Sequence, residues 1–388
     1  MIEPISITGM ASVSPLGVMQ DEIWRAYLKN KHQGSIRKFE KSLAIVAELP
    51  EQAKEAIQNL RKSSSHYVDL DNSVLYGLYA AREAFKMAKW DNNSHFGINV
   101  GSSRGATELF EKYHKEFMIT GKSSTLSSPT TTLGNISSWI AHDLQSLGPE
   151  ISHSITCSTA LHSMLNGVAW IQSGLTDKFL VGGSEAPLTG FTIEQMKALK
   201  IYASETDIAY PCQAMNLNKK RNSMFLGEGA GVICMEKGVK KNAVALLTGM
   251  GYATEILKHN ISISTEADCF QKSMKMALQE IDPSSIDAIV MHAPGTIKGD
   301  QSEYNAIQKV FGNSMPLVTT NKWKIGHTFG ASGILSLEFA ILMLINQRFI
   351  SIPFIKSNTQ PRQLNKIMVN AVGFGGNAVS VIVEKNHS

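Results

Sequence analysis

The chain has 388 residues, of which 43% are hydrophobic and 18% are charged, and its formal net charge is +4. This is the composition of a globular protein with ample core, and the length predicts two or three domains or one large duplicated unit. The mild charge comes without an aromatic and basic motif, which argues against nucleic acid as a partner.

The cysteines and the apolar stretches indicate the compartment. Four cysteines are scattered along the chain: Cys157, Cys212, Cys234 and Cys269. They form no CxxC pair, so we predict neither a disulfide framework nor a zinc site, and a reducing cytoplasm fits best. The most apolar window, Ile334 to Ile345, is interrupted by Ser336 and Glu338 and is too short to span a bilayer, so we predict no membrane span. The opening residues lack the basic and apolar regions of a signal peptide and predict a first strand.

Two segments with the same pattern begin the two halves of the chain. Ile5 to Ala11 and Ala245 to Gly251 each contain a β-type run around Thr-Gly-Met, and each predicts a strand followed by a glycine turn. An amphipathic helix is predicted next in each half, because apolar residues recur every three or four positions in Ser73 to Ala88 and in Phe270 to Ile281. We interpret these apolar stripes as core faces.

A strand, a small-residue loop, an apolar helix and a closing strand then follow in both halves. The predicted elements are Phe96 to Val100, Ala160 to Gly174 and Phe179 to Val181 in the first half, and Ile286 to Met291, Gly330 to Ile345 and Ala378 to Glu384 in the second. The alternation indicates an α/β fold with a largely parallel sheet, and its repetition indicates a duplicated βαβ array; the alternative is a coincidental α/β texture. We place the boundary between residues 1–242 and residues 243–388, with a site between the halves, beyond the carboxyl ends of strands.

Two kinds of segment leave alternatives open. Gly121 to Ser138 is rich in Ser and Thr, and it predicts either a plain surface loop or a lid or partner-covered segment near a site. The basic clusters Lys219–Arg221 and Lys237–Lys241 predict either solvated loops or a surface that attracts an acidic carrier protein.

Cys157 is the most informative residue for chemistry, because it precedes a predicted helix in Ser-Ile-Thr-Cys-Ser-Thr-Ala-Leu-His. The positive end of a helix dipole favours the nucleophilic thiolate, although an inert buried cysteine is the alternative. His292 and His327 lie in small-residue loops of the second half. One cysteine and two loop histidines are the groups that thioester chemistry on carbon requires.

Six segments, in order, carry a resemblance to a known family. They are the opening Ile-Thr-Gly-Met, Cys157 to His162, Leu226 to Gly231, His292 to Asp300, Lys322 to Gly333 and Gly373 to Asn377. Together they cover most of the chain and resemble the β-ketoacyl-acyl-carrier-protein synthases, condensing enzymes of the thiolase-like superfamily. The resemblance implies a thiolase-like duplicated fold, with two pseudo-symmetric βαβ halves in layers α-β-α-β-α.

The resemblance also implies the reaction. Cys157 would take an acyl group from a thioester, and a malonyl group on acyl carrier protein would lose carbon dioxide and attack that acyl group in a decarboxylative Claisen condensation. His292 and His327 would donate hydrogen bonds to the enolate oxygen. The resemblance implies neither a cofactor nor a metal.

Supporting roles follow from the same matches. The backbone N–H groups of Cys157 and Phe374 would form the oxyanion hole, and Lys322 would bias the protonation of site groups, unless it is merely an exposed lysine. Thr296 and Gly375 would contact substrate. His162, more than one helical turn beyond the nucleophile, is interpreted as packing. Leu226 to Gly231 lacks the lysine and spacing of a phosphate loop, so we assign it no nucleotide.

The chain departs from the family pattern at several positions. Pro294 replaces the first threonine after the first histidine, Ser336 stands where the family has glutamate, and Glu338 follows two residues later. Ser223 and Met224 replace a glycine and a phenylalanine, and a threonine is absent before Asn377. These changes suggest a specialised fatty acid, polyene, pigment or polyketide pathway.

Two rival functions remain. One is a coenzyme A-dependent thiolase, which usually has a second cysteine in its site. The other is a non-catalytic or weakly catalytic subunit that sets chain length in a heterodimeric ketosynthase, and such subunits usually lose the nucleophile. The resemblance implies acyl carrier protein as partner and a homodimer, with a heterodimer with a related subunit left open.

Overall fold

The computed structural model describes residues 3–40, 42–91, 94–133, 135–204, 209–256, 263–355, 361 and 363–387. Its strands are β1 (Ile5–Val13), β2 (Ser35–Phe39), β3 (Ser42–Ala47), β4 (Gly97–Gly101), β5 (Glu150–Ile151), β6 (Lys178–Glu185), β7 (Leu226–Gly227), β8 (Gly229–Lys237), β9 (Ala245–Thr254), β10 (Ala288–Val290), β11 (Leu317–Thr319), β12 (Lys366–Gly373) and β13 (Asn377–Glu384). Its α-helices are α1 (Gln20–Tyr27), α2 (Glu51–Lys62), α3 (Asn72–Ala88), α4 (Thr107–Thr120), α5 (Ser127–Thr131), α6 (Asn135–Leu144), α7 (Thr159–Gln172), α8 (Gly190–Ala198), α9 (Asp268–Leu278), α10 (Ile297–Phe311), α11 (Lys322–Ile325) and α12 (Ser332–Asn346).

Two five-stranded sheets share one strand plan. The order is β1-β8-β6-β4-β5 in the first sheet and β9-β13-β12-β10-β11 in the second. In each sheet the first two pairs are antiparallel and the last two are parallel. This strand-by-strand correspondence confirms the predicted duplication. A third, smaller sheet consists of β2, β3 and β7.

The Thr-Gly-Met motif lies inside a strand in both halves. The predicted glycine turns are wrong, because β1 and β9 continue through Gly9 and Gly249, with a bulge that skips the residue just before each glycine. A Cβ atom on Gly9 would lie 2.1 Å from the carbonyl oxygen of Ala84 on α3, and one on Gly249 would lie 2.4 Å from that of Ala277 on α9. The glycines therefore let an outer helix pack closely on each sheet.

The helices complete five layers. Helices α7 and α12 pack against each other between the two sheets, α3 covers the outer face of the first sheet, and α9 covers that of the second. Three clusters of buried apolar residues correspond to this plan, one between the sheets and one under each outer layer. The α-β-α-β-α architecture predicted from the sequence is thus present, and it brings the amino end of α7 close to loops of the second half.

Helix α12 lies at the centre of the molecule. With the short 3₁₀ turn Phe329–Ala331 before it, it forms an 18-residue run that is long and apolar enough to cross a membrane, and 89% of that run is buried inside the protein. The run is longer than the predicted window Ile334 to Ile345, so the prediction that this segment is too short to span a bilayer is wrong. Its burial is that of a core helix.

Two predictions about surface segments are corrected. Gly121 to Ser138, of which residue 134 lies outside the described residues, contains α5 and the start of α6, and none of its described residues lines the cavity that contains Cys157. Lys219 is buried, and its ammonium lies 2.7 Å from the Asp300 carboxylate, with side chains 3% and 0% exposed. Lys219 is therefore not part of a solvated basic loop. This ion pair could not be predicted from the local sequence, because the two residues are 81 positions apart.

Candidate active site

Cys157, His292 and His327 line one cavity of about 490 Å³. Residues of both halves form its walls, as predicted for a site between them. Most of the remaining wall is apolar, formed by Met196, Leu199, Ile201, Met224, Ile263, Phe270, Phe329, Val372 and Phe374. A concave apolar site with a few convergent polar groups is the usual form of a small-molecule site.

A tight turn presents Cys157 to this cavity. Thr156 adopts a left-handed φ of 46°, and the Thr159 hydroxyl donates to its carbonyl oxygen at 2.6 Å. Cys157 follows, two residues before α7 begins. A Cβ atom on Gly373 would lie 1.8 Å from the Thr156 hydroxyl and 3.2 Å from the Cys157 amide nitrogen. Glycine at 373 therefore lets the segment that leads to Phe374 approach the nucleophile loop.

The environment of Cys157 opposes the predicted thiolate. Burial, together with the charge of Glu185, raises the pKa of the thiol to about 12, although Lys322 and Arg104 act in the opposite direction. The position before a helix does not overcome this desolvation. The free thiol is protonated at neutral pH, so the proton must leave as the thiol reacts.

His327 is positioned by the first half of the chain. Its amide donates to the Phe225 carbonyl at 2.8 Å, and its carbonyl accepts from the Gly227 amide at 3.1 Å, which makes a short parallel bridge. A Cβ atom on Gly227 would lie 2.1 Å from the Ile325 carbonyl oxygen. The glycine-rich segment Leu226 to Gly231, to which we assign no nucleotide, therefore holds the histidine loop.

His292 is positioned by a carboxylate that the sequence analysis missed. Glu303 on α10 accepts hydrogen bonds from the amides of His292 at 2.9 Å and Ala293 at 2.8 Å. Its position carries a readable signal, because Asp300, Glu303 and Ile307 fall at helical spacing on one buried face. An acidic residue on such a face needs buried partners, which these backbone amides supply.

The two histidines form a neutral pair. Their ring centroids lie 5.2 Å apart and their planes are nearly perpendicular, at 89°. Burial lowers the pKa of His327 to about 3, with Lys322 adding to the effect. Burial, His327 and Lys322 also hold the pKa of His292 well below its ordinary value. Neutral imidazoles retain one N–H donor each, which is what an enolate oxygen requires.

Lys322 lies behind the histidines and is 1% exposed, so the interpretation as an exposed lysine is wrong. Its ammonium donates to the Ser336 hydroxyl at 3.1 Å and to Asn321 Oδ1 at 3.3 Å. Burial lowers its pKa to about 8. Glu338 does not replace the missing glutamate, because it accepts from the Ser12 hydroxyl at 2.7 Å. The lysine thus has a hydroxyl where the family has a carboxylate.

The remaining predicted residues are divided between the cavity and its surroundings. Phe374 and Thr296 line the cavity, beside Pro294. The Thr296 hydroxyl also caps α10 by accepting from the Gly299 amide at 3.2 Å. Gly375 is not a lining residue; it lies in an exposed turn with φ +93°, where its role is conformational.

His162 lies outside the cavity wall. Its ring Nδ1 lies 3.1 Å from the Ser158 carbonyl oxygen, one turn back along the chain, and the histidine does not line the cavity, as its packing interpretation predicts.

Among the described residues, no group of three or more His, Cys, Asp or Glu side chains has the arrangement of a metal site.

The chain is similar to known condensing enzymes along its whole length. The model "Beta-ketoacyl synthase, N-terminal domain" matches residues 2–241, and "Beta-ketoacyl synthase, C-terminal domain" matches residues 244–353. A "3-oxoacyl-[acyl-carrier-protein] synthase 2" of Staphylococcus aureus (strain COL) is 25% identical, over 98% of both chains.

Two solved structures are similar in fold. They are "The ishigamide ketosynthase/chain length factor" (TM-score 0.85, 19% identity, 100% of both chains) and a type II PKS acyl-carrier protein in complex with its ketosynthase (TM-score 0.84, 18% identity, 100% of both chains). The predicted thiolase-like fold is confirmed. With matches to both family models over most of its length, the chain belongs to the β-ketoacyl synthase family.

Proposed function

We propose that the protein catalyses a decarboxylative Claisen condensation between an acyl group on Cys157 and malonyl-acyl carrier protein. The supporting observation is that Cys157, His292 and His327 line one largely apolar cavity. Covalent capture of the acyl group divides one difficult step into two easier ones.

The proposed reaction has two steps, acyl transfer to Cys157 and condensation with the malonyl group. The Cys157 sulfur attacks an acyl thioester, the bond between the acyl carbon and the carrier's sulfur breaks, and the carrier thiol takes up the proton. A malonyl thioester then loses carbon dioxide, and the resulting enolate carbon bonds to the acyl carbon. The bond to Cys157 breaks, the thiolate regains a proton from solvent, and a β-ketoacyl carrier leaves.

The residues around the cavity suit distinct parts of this reaction. Neutral His292 and His327 would donate to the enolate oxygen, and such preorganised donors are each worth about 3 kcal/mol. The backbone amides of Cys157 and Phe374 would hold the oxyanion during acyl transfer, and Thr296 would contact the carrier's arm. We propose that residues 1–242 supply the nucleophile and residues 243–388 supply the histidines, as two halves of one site.

We propose acyl carrier protein as the substrate's carrier and a dimer as the working assembly. One structural neighbour is titled as an acyl-carrier protein in complex with its ketosynthase, and the S. aureus relative is named for acyl-carrier-protein substrates. A cytoplasmic location suits the four described cysteines, all of which are free. The changes at Pro294 and Ser336 favour a specialised fatty acid, polyene or polyketide pathway.

A chain-length-setting subunit of a heterodimer is the second candidate. The departures at Pro294 and Ser336 favour it, and one structural neighbour is titled as a ketosynthase with a chain length factor. Retention of Cys157 and both histidines around an open cavity favours the condensing enzyme. The site lacks the second cysteine that a thiolase usually has, because Cys157 lines the cavity and Cys212, Cys234 and Cys269 do not.

Intact-mass analysis tests the proposal. The unmodified protein, incubated with acyl carriers, should gain the mass of one acyl group, and Cys157→Ser should gain none. With malonyl carrier added, β-ketoacyl product should form, and His292→Ala or His327→Ala should retain the adduct but lose the product. Product only in the presence of a related subunit would favour the second candidate. Turnover of coenzyme A thioesters alone would favour a thiolase.

A further inference from the structure

Phe329 forms part of the wall of the cavity that contains Cys157, and two neighbouring side chains hold its ring. The side chain is 3% exposed and lines the same cavity as the sulfur. The centroids of the His327 and Phe329 rings lie 5.4 Å apart, and the Arg104 guanidinium carbon lies 5.6 Å from the Phe329 centroid. Phe329 also adopts a left-handed φ of 42°, which the surrounding contacts must hold in place.

Arg104 supports this wall from outside the cavity. It is not a lining residue, and its guanidinium donates to Gln195 Oε1 on α8, next to the lining residue Met196. A guanidinium within about 6 Å of a ring centroid is attracted to the ring, so the stack stabilises one position of the Phe329 side chain. Rotation of the ring away from the cavity would therefore cost the contact with Arg104.

Glu185 joins the two segments that carry this pair. Its carboxylate Oε1 accepts from the Ser103 amide, which precedes Arg104, and from the Gly330 amide, which follows Phe329, the latter at 3.1 Å. The carboxylate is fully buried at the end of β6. A Cβ atom on Gly330 would lie 2.6 Å from the carboxylate oxygen and 2.7 Å from the Ser103 amide nitrogen. The two segments are thus fixed at one spacing.

We propose that the Phe329–Arg104 stack is a specificity determinant that limits the length of the acyl group held on Cys157. The inference rests on the proposed function, because it concerns the acyl group that this function places there. Because Arg104 holds the ring in one position, the wall cannot yield to a longer chain without breaking this contact. Close-packed interiors resist such a change, and a misfit of one methylene in an apolar pocket costs about 1–3 kcal/mol, or roughly 10–200-fold in discrimination.

Competition between acyl donors tests the inference. The protein is incubated with an equimolar series of saturated acyl carriers, from acetyl to dodecanoyl, and the adducts on Cys157 are resolved by intact mass. In Phe329→Leu, the ratio of longer to shorter adducts should rise by about tenfold or more. Arg104→Lys keeps the charge and removes the guanidinium that contacts the ring and donates to Gln195, so it should shift the profile in the same direction.

A matched control variant outside the cavity separates wall effects from general loosening. Phe191 on α8 is 61% exposed and does not line the cavity, so Phe191→Leu makes the same substitution and should leave the length profile unchanged. Arg104 is only half-buried, so Arg104→Lys keeps the test decisive if Phe329→Leu fails to fold. If all variants form adducts on Cys157 with the same length profile as the unmodified protein, the inference about Phe329 is overturned and the proposed function stands. Absence of any adduct on the unmodified protein would overturn the proposed function and the inference with it.

Discussion

At the residue scale, the serine at position 336 leaves Lys322 without an adjacent carboxylate. Burial lowers the pKa of Lys322 to about 8, and the hydroxyl of Ser336, 3.1 Å away, brings no charge to offset that desolvation. Glu303 is the leading charge that favours the ammonium form. The lysine therefore titrates within the working range of an enzyme.

Ser336→Glu should move the alkaline limit of malonyl decarboxylation to higher pH. A carboxylate beside the ammonium stabilises the charged form, which raises the pKa of Lys322, by about one unit or more for a close opposite charge. The measurement is the pH profile of carbon dioxide release. Ser336→Gln has the same size without the charge, so it should leave the alkaline limit in place. An equal shift in both variants would assign the effect to packing instead of charge.

Glu185→Gln should accelerate alkylation of Cys157 at pH 8. The negative charge of Glu185 adds to the raised pKa of the thiol, so its removal lowers that pKa and increases the thiolate fraction that reacts with iodoacetamide. Glutamine keeps an oxygen that can accept from the Ser103 and Gly330 amides. Burial raises the pKa of Glu185 to about 7, so the carboxyl is already neutral in acid and the advantage should shrink below pH 6.

Peptide mapping by mass spectrometry measures alkylation at Cys157 separately from the other cysteines. Cys234 serves as an internal control, because it is 0% exposed in β8, an interior strand of the first sheet. Faster reaction at Cys234 as well would indicate general opening of the protein. An unchanged rate at Cys157 at pH 8 would show that Glu185 does not control its ionisation.

At the element scale, Lys324 connects α11 to α1. Its ammonium is buried and donates to the carbonyls of Ala26 at 2.8 Å, of Lys31 at 2.9 Å, and of Lys29. These carbonyls belong to the last turn of α1 and the loop that follows it. Because α11 begins at Lys322 and leads to His327, this contact fixes the second histidine loop against the first half of the chain.

Lys324→Met should therefore reduce both stability and decarboxylation. Buried carbonyls that lose their donor cost about 1–3 kcal/mol each, so the free energy of unfolding should fall by at least about 2 kcal/mol in urea denaturation. The variant should still form an adduct on Cys157, whose turn is positioned separately, while carbon dioxide release falls. Lys29→Met, an exposed lysine of the same loop, is the matched control and should change neither.

The elements were largely predictable because their signals are local. Periodicity placed α3 and α9 within a few residues, apolar runs placed α7 and α12 equally well, and the motif order placed Cys157 and both histidines. What failed depends on remote partners. Lys219 looked solvated because Asp300 is distant in sequence, and Gly9 looked like a turn because the helix that packs against it cannot be seen locally. Glu303 differs from these two, because its place on the buried face of α10 is a local signal and its partners, the amides of His292 and Ala293, are 11 and 10 residues away.

At the scale of the whole molecule, duplication explains why the site lies where it does. Cys157 follows β5 and His327 follows β11, which are the corresponding edge strands of the two sheets, and both residues line one cavity. One half therefore contributes a cysteine and the other contributes histidines. The ionisation of these groups was not predictable from the sequence. The helix position of Cys157 suggested a thiolate, whereas its burial raises the pKa to about 12. Desolvation depends on the assembled cavity, whose walls come from many segments of the chain.

Helix α4 carries the apolar surface that we expect at the contact of the proposed dimer. Of its 14 residues only Thr107 is buried, although it carries Phe110, Phe117, Met118 and Ile119, and the last two are 69% and 76% exposed. A helix with so little cover and so many apolar side chains needs a partner surface. Helices α5 and α6 connect it to β5, the edge strand of the first sheet.

Replacing Met118 and Ile119 together by glutamate should dissociate the dimer. Two charges at the centre of an apolar contact lose solvation on assembly, so association should weaken by tenfold or more, which corresponds to about 1.4 kcal/mol. Sedimentation velocity over a concentration series measures this. Leu43→Glu is the control, because Leu43 is 63% exposed on β3, outside the α4 face. A dimer that persists in the double variant would exclude α4, and a monomeric unmodified chain would require a related subunit as partner.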